Sequence, residues 1–292
     1  MIRTTDTSTY RTLQYNLTKT SNTLNQLYIK SSTGKEVAKA SDAPGLVRTI
    51  VSSRSAITSG ERYIENCQHV QDNMATSETA IDSIKDLLDR AKEIAVAGAN
   101  DSVSDSDLDT YADEVSMLSD SLLDLANTKV DGKYIFGGYN DETEPFSGSP
   151  VTYNGTDDHQ MIEISPGIKV AKNVTGEELF MDPVNIFTTL DDLETALRNG
   201  DSDDISDQLT TIEEAADQVR SQQSTLGNNS ARIDDIITVH QNSILQLQES
   251  LSNHEDADLS EVLSEVAKME LCLEATMQVT ARVSSLSLLN YL

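Results

Sequence analysis

Four histidines, two cysteines and several acidic clusters are the side chains here that could carry chemistry. His69, His159, His240 and His254 show no HxxxH or HExxH spacing, the arrangement that sets two imidazoles on one helical face around zinc. Cys67 and Cys272 lie far apart and form no CxxC, so neither a metal site nor a redox motif is indicated. Each falls in an apolar-periodic segment, where a free cysteine packs as a small hydrophobe. Asp101, Asp105, Asp107 and Asp109 hint at a calcium loop. Counted from Asp105, however, the position that needs Gly is Thr110, and the position that needs a bidentate Glu is Ser116. The same carboxylates suit the first turn of a helix, where they complement its dipole, and Asp201, Asp203 and Asp204 read the same way. No serine stands in GxSxG, and Gly137-Gly138 lacks the rest of a phosphate loop. The sequence therefore predicts no enzyme, no metal and no cofactor.

The elements around these residues follow from composition. At 292 residues and 31.9 kDa the chain is long for one compact domain, and two or three are expected. With 4 Phe, 9 Tyr and no Trp, the core is expected to be built from Leu, Ile, Val, Met and Ala. Five prolines leave room for long uninterrupted helices. The balance of 21 basic against 49 acidic residues gives −28, which argues against nucleic acid and anionic lipid as partners. No run approaches ~18 consecutive apolar residues, so no membrane span is predicted.

The charge is uneven. Residues 1–50 hold seven Lys or Arg against Asp6, Glu36 and Asp42, a net of +4, whereas residues 255–292 carry two basic side chains against seven acidic ones, a net of −5. The two ends are thus complementary, an arrangement that acts on register more than on affinity. The N-terminus lacks the apolar core of a cleavable secretory signal.

Hydrophobic spacing orders the chain. Tyr10, Leu13, Leu17, Thr20, Leu24 and Leu27 step by 3 and 4, as the a and d positions of a heptad do. Leu259, Val262, Val266, Met269, Leu273, Thr276, Thr280 and Val283 repeat the pattern at the far end, with Leu289 beyond. One seam is too narrow to stabilise an isolated helix, so each terminal segment needs the other, or its copy in a neighbouring subunit. Further helices are predicted from Gly45 to about Gly98, from about Asp105 to Thr128, and from about Asp203 to Ser252. Between Asp131 and Asp182 the helical period disappears. Alternation in Val151–Tyr153 and Met161–Ile164, with Gly155 and Ser165-Pro166-Gly167 as turns, reads as short strands.

The expected fold class is mainly α: an elongated antiparallel helical bundle or coiled coil formed by both chain ends, with a small β-rich insertion at the tip. Its expected parts are an assembly domain (1–42 with 255–292), a helical rod (43–130 with 186–254) and a β-rich variable domain (131–185).

Three stretches carry a family likeness. Ser31-Ser32-Thr33-Gly34-Lys35 followed by Ala40-Ser41-Asp42-Ala43-Pro44-Gly45, then Lys133-Tyr134-Ile135-Phe136-Gly137-Gly138 with Thr143-Glu144-Pro145-Phe146, and finally Val283 to Leu292 resemble the bacterial flagellin superfamily. The second and third are most like its members that join hook to filament. Ala43 stands where a second acidic residue is usual, and Tyr28-Ile29-Lys30 where a leucine is. The resemblance implies a structural flagellar subunit that is exported by the flagellar type III pathway and lies outside the cell. It also implies ring or tubular self-assembly, contacts with a neighbouring hook-associated protein and flagellin, and an export chaperone. Tyr10, Leu13, Leu17, Leu24, Leu27, Val262, Val266, Met269, Leu273, Val283 and Leu289 are the expected assembly interface. Filament flagellin is the alternative reading, and a secreted coiled-coil effector is the alternative from another class.

Overall fold

The computed structural model describes the backbone of residues 3–130 and 132–289 and the side chains of 8–130 and 132–283. In chain order it contains α1 (Arg3–Thr33), α2 (Pro44–Gly98), α3 (Asp105–Ala126), β1 (Lys129–Val130), β2 (Lys133–Tyr134), β3 (Phe146–Ser147), β4 (Thr152–Tyr153), β5 (Met161–Ser165) and β6 (Ile168–Ala171). A π-helical turn (Glu177–Met181) follows, then α4 (Ile186–Asn199), α5 (Ser202–Glu255) and α6 (Leu259–Leu289). The contacts divide into two units, residues 1–59 with 243–292 and residues 60–242, so α2 and α5 contribute to both.

In the first unit α1 and α6 lie side by side and antiparallel. At one end of the pair Ala257 N–H donates to the Gly34 carbonyl at 2.9 Å, and further along the Tyr28 hydroxyl donates to Glu270 at 2.7 Å. Helix α1 stops because Gly34 turns to a φ of 69°, a conformation that glycine adopts without strain, while its N–H still bonds the Lys30 carbonyl.

The second unit is organised by α2 and α5. Cys67, Met74, Ile81, Leu88 and Ala95 recur every seven residues on α2 and are all buried, as are Ile205, Ile212, Val219, Leu226 and Ile233 on α5. Gln71 bonds Asp234 at 2.6 Å, Gln223 bonds Asp82 at 2.6 Å, and Lys92 pairs with Glu213 at 2.7 Å. Eleven residues forward on α2 therefore match eleven backward on α5, and ten more match ten. The two helices run antiparallel in constant register, as a heptad seam requires.

Helices α3 and α4 pack on each other. Ser104 caps α3 by accepting from Asp107 N–H, with Asp105 and Asp107 in the first turn. Asp201 likewise accepts from the N–H groups of Asp203 and Asp204 at the start of α5. The acidic clusters are thus helix starts. Helix α4 was not legible as a separate element. It is only 14 residues long, but Asn185 caps its start and Gly200, at a φ of 68°, ends it.

The middle differs from expectation in one respect. The predicted strands exist, in antiparallel hairpins that pair Phe146 with Tyr153 and Ile162 with Val170. The core there, however, adds aromatic rings to the aliphatic side chains of Ile135, Ile164, Val170, Val174 and Leu179. All four phenylalanines of the chain, Phe136, Phe146, Phe180 and Phe187, are buried together. Phe146 and Phe180 lie 4.9 Å apart between ring centroids, and Phe180 and Phe187 5.7 Å, within the range of favourable ring pairs. Tyr153 joins the cluster, its hydroxyl 3.0 Å from the carbonyl oxygens of Phe136 and Thr156. Burial pushes its phenol up to about 12. These rings belong to the same buried cluster as the seams of α2 and α5, so hairpins and helices share one core.

Candidate assembly interface

The terminal seams meet within the chain. Leu24 and Leu27 of α1 and Val262 of α6 are buried, while Leu13, Leu17, Val266, Met269, Leu273 and Val283 are partly buried. Tyr10 is exposed, as is Leu259, so the seam closes less fully at the starts of the two helices than the spacing predicts. The side chain of Leu289, and the terminal motif beyond Val283, lie outside the described side chains. Each seam position that faces its neighbour removes apolar surface from water, and a fully buried Leu contributes about 1.5–3 kcal/mol.

A polar clasp, not anticipated from the sequence, holds the base of this pair. The Glu255 side chain is buried at the end of α5, and both Lys35 and Arg54 pair with its Oε1. Its backbone takes part too: Glu36 N–H donates to the Glu255 carbonyl at 2.7 Å and Val37 N–H at 3.3 Å. Lys30 pairs with Glu36 beside it. The serine-serine-threonine-glycine-lysine stretch thus ends α1 and begins the clasp. Three segments distant in sequence converge on one carboxylate, and only the charge complementarity of the chain ends hinted at it.

The outer surface of the pair carries exposed apolar side chains among charged and polar ones. Leu263, Leu271, Met277 and Val279 lie off the α6 seam and are 48% to 68% exposed. Tyr15, Tyr28 and Ile29 are exposed on α1. Cys272 shares this outer position on α6 and is exposed, which corrects its reading as a packed hydrophobe; Cys67 is buried, and both thiols are free. A helix that is apolar beyond its seam is built for burial on more than one side. Among the described residues no group of metal-binding side chains is present, and no helix is long and apolar enough to cross a membrane.

Comparison with known proteins fits this arrangement. A family model of the bacterial flagellin N-terminal helical region matches residues 6–141, and a model of the C-terminal helical region matches residues 209–292. The chain belongs to the bacterial flagellin family. Flagellar hook-associated protein 3 of Escherichia coli is 23% identical over 282 residues, which cover 88% of this chain and 89% of the relative. Flagellin of Bacillus subtilis is 27% identical over 271 residues, 87% of each. Among solved structures, the flagellar junction protein FlgL from Legionella pneumophila shares the fold at a TM-score of 0.62 and 17% identity, over 71% of this chain and 99% of that one. The two regions matched by the flagellin models hold α1, α2, α3, most of α5 and α6. The stretch between them, residues 142–208, carries β3 to β6, the π-helical turn and α4.

Proposed function

We propose that this chain is a structural, non-enzymatic subunit of the bacterial flagellum that joins hook to filament. The observation that carries the reading is the terminal pair, which buries Leu24, Leu27 and Val262 in its seam while Leu263, Leu271, Met277 and Val279 remain exposed outside it. That surface needs further helices to cover it, and copies of the same pair in a ring or tube would supply them. The seam residues from Leu13 to Leu27 and from Val262 to Val283 hold the pair together, and the outer residues join it to neighbours. Residues 1–42 with 255–292 form the assembly part, 43–130 with 186–254 a helical rod, and 131–185 a variable domain. Because one seam is narrow, assembly completes the ordering of the ends, which couples folding to binding and favours a templated position. The subunit leaves the cell by the flagellar type III route with an export chaperone, and lies between a hook-associated protein and flagellin.

Support for the junction role comes from the hook-associated relative and from the resemblance of the Lys133–Gly138 stretch. The identity with flagellin keeps filament subunit as the second reading. Deleting the gene separates them: a junction subunit predicts non-motile cells that build hooks and shed intact flagellin into the medium. Loss of flagellin itself, with nothing shed, would favour the filament reading. Unchanged swimming would end both.

A further inference from the structure

A cavity of 170 Å³ lies in the second unit where the β1–β2 hairpin and the end of β6 face α2. Its volume is close to that of an engineered cavity, roughly 150 Å³, that holds benzene, so it suits a small organic molecule better than a lone ion. Unlike that cavity, its walls are polar: His69, Asn73, Lys133, Asp141, Lys172 and Asn173 all line it.

Most polar groups there are already engaged. Lys133 Nζ donates to Asp141 Oδ2 at 2.8 Å, and this bond holds the Asp141 carboxyl below the usual carboxylate range. The Asn73 amide donates to the His69 carbonyl at 2.7 Å. Four groups stand apart among the described residues: the His69 ring, the Tyr134 hydroxyl, Lys172 Nζ and Asn173 Nδ2. Lys172 Nζ has no ion pair or side-chain hydrogen bond among the described residues, although its charge acts on Asp141 through space. Asn173 Nδ2 is buried and has no hydrogen-bond partner among the described residues, whereas its Oδ1 accepts from Gln160 N–H at 2.7 Å. A buried donor without an acceptor is rare. Asn173 also lines a neighbouring cavity of 270 Å³, so it stands in a wall shared by both.

We infer that the 170 Å³ cavity binds a small organic oxyanion, a carboxylate or phosphate carried on a polar body. Lys172 supplies the counter-charge and Asn173 Nδ2 the neutral donor, while the Lys133–Asp141 pair offers both a donor and an acceptor to hydroxyl groups. A cation is disfavoured because the one lining carboxylate is already neutralised. In a chain of net charge −28 the overall field repels anions, so the selectivity must arise locally.

Calorimetric titration of the full chain tests this with inorganic phosphate, glucuronate, glucose 6-phosphate and neutral glucose. Saturable binding of glucuronate or glucose 6-phosphate is expected, with inorganic phosphate weaker and glucose silent. The stronger of the two anions tells carboxylate from phosphate. Lys172→Gln should weaken binding about tenfold or more, the scale of one charge-assisted hydrogen bond. Asn173→Asp should do the same, since it keeps the acceptor for Gln160 N–H and replaces the donor with a charge that repels the ligand. Lys169→Gln, which does not line the cavity, should leave affinity unchanged, and circular dichroism should show all three variants folded. Absence of saturable binding by both organic anions would overturn the inference. So would glucose binding as well as glucuronate, an unaltered affinity in Lys172→Gln, or an equal loss in Lys169→Gln.

Discussion

The clasp at the base of the terminal pair makes a sharp quantitative prediction. The Glu255 side chain is 3% exposed, whereas Lys35 and Arg54 are 40% and 52% exposed. The burden of desolvation therefore falls on the carboxylate, and the two cations remain half in water. Removing one cation, by Lys35→Ala or Arg54→Ala, leaves the other in place and should cost about 1 kcal/mol, the upper end for a pair with an exposed member. Removing both leaves a buried carboxylate without a counter-charge, a change that costs about 3–5 kcal/mol where it has been measured. The double variant should therefore lose clearly more than the singles together. Glu255→Gln should lose less than the double variant, because both cations return to solvent and the amide keeps some hydrogen bonding. Hydrogen exchange at the Glu36, Val37 and Ala257 amides, whose partners are the Glu255 and Gly34 carbonyls, reads local opening of the clasp. Thermal unfolding reads the whole chain. Additive small losses in the double variant would show that Glu255 does not depend on its partners, and the clasp would be an incidental surface contact.

Other outcomes follow from the second unit and from the net charge. Gly138 has a φ of 66°, and a Cβ there would stand 2.0 Å from the Thr156 carbonyl oxygen; Gly138→Ala should destabilise by more than the ~1–2 kcal/mol of left-handed strain alone, read by urea unfolding. Tyr153, with its phenol raised to about 12, favours the fold below the ordinary phenol range and withdraws that support as pH rises from about 10. Ultraviolet titration should show one late tyrosine that disappears in Tyr153→Phe. Raising salt from ~0.01 to ~0.1 M shortens the screening length from ~30 to ~10 Å and should raise the unfolding temperature of a chain carrying −28; a fall would mean that attractive ion pairs outweigh self-repulsion.

The long helices were legible because their physics is periodic. Met74, Ile81 and Leu88 on α2 and Ile212, Val219 and Leu226 on α5 announce a seam by spacing alone, and the structure aligns the two in constant register. Phe136, Phe146, Phe180 and Phe187 follow no period, so nothing in their spacing revealed that they would meet. The same holds for Lys35, Arg54 and Glu255, three common charged residues whose meeting depends on where α1 ends and α5 breaks. Gly138 could be noticed as part of a motif, but its necessity becomes visible only beside Thr156. On α6 the heptad spacing marks only the seam and is silent on Leu263 and Leu271, which matter because they are left outside it.

Where the protein sits on the flagellum tests the central claim most directly. Immunogold labelling of intact flagella with antibody against this chain should mark a single narrow band at the boundary between hook and filament. Label along the whole filament would identify a filament subunit instead, and its absence from the flagellum altogether would contradict the account.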